Sequence, residues 1–119
     1  MIETKEAVEN IDEILSVENL SGIYIGPADL SSSYGKKPQF DITDDSLFSK
    51  VKMVLNKTKS KGKIAGIHNG TTDYAKKMIE LGFNFVSVSS DFRAMTSSAQ
   101  GIVKEMKKSI LSDPTESTY

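Results

Sequence analysis

Cysteine is absent from this 119-residue chain, which rules out disulfides, cysteine-ligated zinc and thiol catalysis and is compatible with a reducing cytoplasm. Histidine occurs once, at His68, so a three-histidine zinc site cannot be built. Charge of one sign is missing too: 15 basic residues offset 16 acidic ones, with no basic stripe to attract nucleic acid. No apolar run reaches eighteen residues, so no helix is expected to cross a membrane. The opening "MIETKEAVEN" is charged early and lacks the apolar stretch of a secretory signal. The length suits one small domain with a real core.

What is present alternates between two periods. "MIE" is an apolar stub, followed by helical spacing of Ala7, Val8, Ile11, Ile14 and Leu15 across residues 4–15. "GIYIG" (22–26) reads as a short, fully buried strand, then a polar loop runs through Lys36, Lys37 and Pro38. Thr43 is the expected cap of a helix reaching Lys61 and ended by Gly62, with Leu47, Val51, Val54 and Leu55 on one face. "KIAGI" (63–67) is the next strand, and "NGTTD" (69–73) turns into a helix carrying Ala75, Met78 and Ile79 that stops at Gly82. "NFVSV" (84–88) is another strand. The last helix starts near Ser90 or Asp91 and is expected to bury Phe92, Met95, Ala99, Ile102, Val103, Met106 and Ile110. Residues 1–112 form the expected domain and 113–119 a polar tail.

The order β-α-β-α-β-α-β-α implies parallel strands with right-handed crossovers. An open doubly wound sheet and part of a (β/α)8 barrel both fit; four βα units make half a barrel. In either, ligands bind at the carboxyl ends of strands. Those ends hold Glu3 and Thr4, then Gly26 to Ser33, then His68, Asn69 and Gly70, then Ser89, Ser90 and Asp91. Glu3 and Asp29 are carboxylates on neighbouring strands, and hard oxygens so placed suit Mg²⁺ or Mn²⁺, with water and substrate completing the shell. By position alone Glu3 reads more readily as a frayed terminal residue and Asp29 as a helix cap, because single acids are common at such turns. Pro27 fixes φ, and the N–H groups of Ala28 and Asp29 would open a helical turn able to hold a carboxylate. Such a pairing suits a 2-oxo acid. His68 reads as a turn residue ahead of Asn69-Gly70, or as a polar group at the mouth of the site; Asp91 reads as a cap, and Ser31, Ser32 and Ser33 as completing local turns.

"IET", followed 26 positions later by the Asp of "GPADLSSSYG", then "GKIAGIHNG" and "AKKMIELGFNFVSVSSD", resembles the HpcH/HpaI aldolase family from Ile2 to about Lys108. The resemblance implies half of a (β/α)8 TIM barrel of the phosphoenolpyruvate/pyruvate superfamily, corresponding to strands five to eight. It implies a class II pyruvate aldolase acting on 2-oxo-3-deoxy acids, with pyruvate and an aldehyde as partners. By it Glu3 and Asp29 are the protein ligands of Mg²⁺, Mn²⁺ or Co²⁺, which as a Lewis acid stabilises the pyruvate enolate. Gly26, Pro27, Ala28 and Asp29 form the substrate-binding turn, the amides of Ala28 and Asp29 holding the carboxylate. The family's catalytic histidine and arginine belong to the first half of the barrel. This chain is therefore expected to be an aldolase fragment, inactive alone, cytoplasmic and homo-oligomeric, with exchange of the last helix as one route. A citrate-lyase- or malyl-CoA-type lyase and a catalytically inactive oligomerising half-barrel are the alternatives.

Overall fold

The computed structural model describes residues 1–111, with side chains to Lys108. The expected polar tail and the expected burial of Ile110 lie outside the described residues. Among the described residues, six helices and three strands follow in the order α1 (Lys5–Glu9), α2 (Ile11–Ser16), β1 (Gly22–Ile25), α3 (Pro27–Ser33), α4 (Asp45–Ser60), β2 (Ile64–Asn69), α5 (Thr72–Leu81), β3 (Phe85–Val88) and α6 (Asp91–Leu111). The chain divides into two units, Met1–Val88 and a second beginning at Ser89.

In the first unit the strands pair in parallel in the order β1-β2-β3, with Tyr24 opposite Gly66 and His68 opposite Ser87. Neighbours in the sheet are neighbours in sequence, with no reversal of order. A barrel segment is built this way, as is one half of a doubly wound sheet, whose order reverses only at its switch point. Four complete βα units are not seen: the first strand is a single parallel bridge, Ile2 to Ile25, held by Ile2 N–H to Tyr24 O (2.8 Å) and Gly26 N–H to Ile2 O (3.2 Å).

The core lies on one side of the sheet. Ile23, Ile25, Ala65 and Ile67 face Leu47, Val51, Val54 and Leu55 of α4, with Val8, Ile11, Leu15 and Met78 around them, all buried. Each such aliphatic side chain contributes roughly 1.5–3 kcal/mol relative to exposure. The opposite face is open, which corrects the reading of "GIYIG" as fully buried: Gly22 and Tyr24 are only half-buried, and on the neighbouring strands Ile64 and Phe85 are 51% and 59% exposed. Alternation along a parallel strand normally disappears because both faces are covered; here only one is.

Local departures have identifiable causes. The expected helix over 4–15 breaks at Asn10 (φ −92°, ψ 16°), yet Val8, Ile11 and Leu15 stay buried, so the apolar spacing runs straight through the break. Asp44, not Thr43, caps α4: its carboxylate accepts from Leu47 N–H at 2.9 Å. Gly62 and Gly82 end their helices at φ +67° and +108°, as expected, where a side chain would be strained. In the second unit Ser90 Oγ accepts from Arg93 N–H at the start of α6. The expected stripe of Phe92, Met95, Ile102, Val103 and Met106 shares a face of α6 but is exposed, as is Ala99, contrary to expectation. Helical spacing determines which residues share a face, and it does not supply a surface to cover them.

Candidate active site

Residues 1–3 and the β1–α3 turn build one wall of a pocket of about 220 Å³ at the carboxyl end of the sheet. Glu3 follows the bridging Ile2 and precedes Thr4, whose hydroxyl caps α1 through Ala7 N–H. The next amide, Lys5 N–H, donates to Ser33 Oγ at 2.8 Å, so the Glu3 segment is tied to the far end of α3. Ser31 and Ser32 do make the expected local bonds, to the carbonyls of Pro27 and Ala28; Ser33 instead reaches 28 residues back. Glu3 itself lies across Gly26: a Cβ built there would sit 2.5 Å from Glu3 Oε1 and 2.8 Å from its Cγ.

Gly26 precedes Pro27, the first residue of α3, where a missing N–H costs nothing. The first helical bond runs from Leu30 N–H to the Gly26 carbonyl, so the amides of Ala28 and Asp29 lie ahead of the helix's own ladder. Leu30 and Ser31 are fully buried and anchor the turn, while Asp29 is exposed beside the pocket. Glu3, Gly26, Pro27, Ala28 and Asp29 thus border a single cavity.

His68 also borders it. It is not a turn residue: β2 continues through Asn69, and the ring is half-buried. His68 Nδ1 lies 2.8 Å from Ser87 Oγ, which lies 2.5 Å from the Tyr24 hydroxyl. Gly66 stands between them in the sheet and leaves room for the Tyr24 ring, which tilts against Phe85 at 5.6 Å between centroids. The next residue, Asn69, is wholly buried: its amide donates to the carbonyls of Ile67 and Ser87, and its Oδ1 is without a partner. Ser89, Ser90 and Asp91 fall in the second unit; Ser90 and Asp91 serve the start of α6.

The loop between α3 and α4 supplies Phe40, whose ring meets His68 edge-on at 5.2 Å. Three attachments hold the loop. Lys36 pairs with Asp44 at 2.7 Å; with the Ser46 hydroxyl and Leu47 N–H it keeps the Asp44 carboxyl far below the usual carboxylate range. Asp41 accepts from Gly70 N–H at 2.7 Å and from the Thr71 hydroxyl at 2.6 Å. The Tyr74 hydroxyl donates to the Ile42 carbonyl, and burial, assisted by the nearby Asp41 carboxylate, pushes its pKa up to about 12. Sequence reasoning missed Tyr24, Phe40 and Ser87. Tyr24 was detectable, standing two residues before Gly26 and so on the same face.

Among the described residues no three His, Cys, Asp or Glu side chains cluster tightly enough to cage a metal. A closed zinc-type site is thereby absent from them. Two carboxylates on an open pocket fit a Mg²⁺- or Mn²⁺-type ion, which keeps several positions for water and substrate oxygens.

The chain matches the family model described as HpcH/HpaI aldolase/citrate lyase over residues 1–98. It is 35% identical over 107 residues to a hydroxypyruvate/pyruvate aldolase of Rhizorhabdus wittichii, covering 90% of this chain and 43% of that one. It is 34% identical over 103 residues to a 4-hydroxy-2-oxo-heptane-1,7-dioate aldolase of Escherichia coli, covering 85% and 38%. The structure of an HpcH/HpaI aldolase from Desulfitobacterium hafniense superposes with a TM-score of 0.81 at 25% identity, over 88% of this chain and 40% of that one. The citrate synthase SbnG superposes at 0.77 and 25%, over 92% and 44%. The chain therefore spans about two fifths of the length of these relatives. On the strength of the family match over residues 1–98, it belongs to the HpcH/HpaI aldolase/citrate lyase family.

Proposed function

We propose that this chain carries the metal- and 2-oxo-acid-binding part of a class II pyruvate aldolase. The observation that carries the reading is the placement of Glu3 and Asp29, from two chain segments, on one pocket into which Gly26 admits the Glu3 side chain. Their oxygens would hold Mg²⁺, Mn²⁺ or Co²⁺. When bound, the ion supplies Lewis acidity to the keto oxygen of a 2-oxo acid. The amides of Ala28 and Asp29 receive the acid's carboxylate, and Pro27 keeps them presented by fixing the start of α3. The names of both aldolase relatives specify 2-oxo acids, which supports pyruvate and an aldehyde as the reacting pair. The likeness to a citrate synthase structure favours a second reading, a lyase of the citrate or malyl-CoA type. Activity with a CoA thioester and none with pyruvate plus aldehyde would select it.

The acid/base histidine and arginine that the resemblance implies have no counterpart here. General acid–base catalysis is worth about 10²–10⁴-fold and a lost electrostatic stabiliser about 10²–10³. The isolated chain should accordingly show no measurable aldol cleavage. Its open sheet face, with Ile64 and Phe85 exposed, should drive self-association. The test of the site is Mn²⁺ titration followed by spin resonance. Binding in the wild type and its loss in Asp29→Ala is expected; equal affinity in the two would overturn the assignment.

A further inference from the structure

We propose that His68 is a substrate-contacting residue that selects 2-oxo acids bearing a hydroxyl on the carbon next to the keto group. This rests on the reading of the pocket as a 2-oxo-acid site and names the group that discriminates among its ligands. If the carboxylate and keto oxygen are taken by the α3 amides and the ion, the rest of a small acid in a pocket of about 220 Å³ meets the remaining lining. Three rings contribute to that lining: Tyr24, Phe40 and His68. Phe40 offers no hydrogen-bonding atom. The Tyr24 hydroxyl is committed to Ser87. Of the three, His68 alone keeps a polar atom for a ligand, Nε2, because Nδ1 is committed to Ser87.

The bond chain also decides what Nε2 offers. A phenol is a stronger acid than an alkyl hydroxyl, so Tyr24 donates to Ser87 Oγ, and Ser87 turns its own proton toward His68 Nδ1. An Nδ1 that accepts leaves the proton of the neutral imidazole on Nε2. His68 is then a hydrogen-bond donor, and the Phe40 ring packs against it edge-to-face. Tyr24 and Ser87 are positioning residues. A hydroxyl oxygen on the ligand's third carbon accepts this bond; the methyl group of pyruvate leaves the donor unanswered. A site built around a polar partner disfavours the analogue that lacks it.

The single histidine makes the test direct. In the ¹⁵N-labelled full chain, at a pH where the ring is neutral, the imidazole resonances should show a proton on Nε2, and Ser87→Ala should mix the tautomers. A proton on Nδ1 would overturn the proposal. In calorimetric titrations with Mg²⁺ present, His68→Ala should weaken hydroxypyruvate about tenfold, one neutral hydrogen bond, and pyruvate far less. His68→Gln, which keeps a donor, should recover part of the loss. An equal effect on both acids, or none, would refute the role of His68 and leave the metal reading intact. Binding unchanged by chelator and by Asp29→Ala would refute the metal reading, with the ratio between the two acids still judging His68. Failure of both acids to bind would overturn both readings.

Discussion

Replacing Gly26 by alanine separates the pocket from the fold. The backbone at Gly26 (φ −99°, ψ 94°) is open to any residue, so alanine brings no conformational strain. Its Cβ, however, would lie 2.5 Å from Glu3 Oε1, 2.8 Å from Cγ and 3.1 Å from Cδ. No backbone atom is among these neighbours, so the Glu3 side chain must swing away while the chain path stays. Moving it off its rotamer costs about 0.5–1.5 kcal/mol. Restricting the unfolded chain offsets about 0.4–1 kcal/mol of that. Net stability should therefore change by less than about 1 kcal/mol, a melting shift within roughly 8 °C. If Glu3 and Asp29 are the ligands proposed above, metal affinity should fall much further, on the order of 10–100-fold, because one of the two carboxylates is displaced. Gly22→Ala is the control with the opposite result. Its Cβ would run into the Ile64 carbonyl oxygen and Cβ on the paired strand, so it should disrupt β1–β2 pairing and lower the melting temperature sharply. Circular-dichroism melts and Mn²⁺ spin-resonance titrations read the two effects. A Gly26→Ala chain that binds Mn²⁺ like the wild type would refute the placement of Glu3 as a ligand.

Gly66→Ala would place a Cβ 2.6 Å from the Tyr24 ring and 3.0 Å from Phe85, costing about 1–3 kcal/mol of stability by overpacking, read in denaturant melts. Tyr74, with its pKa raised by burial from 10.0 to about 12, stabilises the fold at pH below 10 and loses that contribution as pH rises towards 12. Melting temperature should fall across that window, and Tyr74→Phe should flatten the fall. Light scattering at micromolar concentration should report a dimer or larger species through the open sheet face; a monomer with a cooperative melt would contradict it.

Much of the fold was legible because its signals are local. Helical spacing at Leu47, Val51, Val54 and Leu55 located α4, and Gly62 and Gly82 marked two helix ends through their positive φ. Asn10 was not legible, since a break that preserves the apolar face leaves no mark on the pattern. Nor was the exposure of α6, because a stripe of apolar residues carries no information about its cover. Glu3 and Asp29 were singled out by their positions at strand ends, and both line one cavity; their role as metal ligands is the proposal. Ser33 and Phe40 escaped for a different reason. Each acts across a long sequence separation, from a segment whose composition is that of any polar loop.

The open face of the sheet accounts for how pocket and fold depend on one another. Gly22, Tyr24 and Gly26 of one strand stand beside Ile64, Gly66 and His68 of the next, then Phe85 and Ser87. Glycine recurs wherever a neighbour leans sideways: Glu3 across Gly26, Tyr24 across Gly66, Ile64 against Gly22. In the confined interior of a barrel, small residues are what allow large ones to lie across adjacent strands. The same device places the Glu3 carboxylate at the pocket and lets the Tyr24 hydroxyl reach Ser87, two strands away, to orient His68. Glycines that look like weaknesses in a strand are thus the positions that let larger side chains lie across this face.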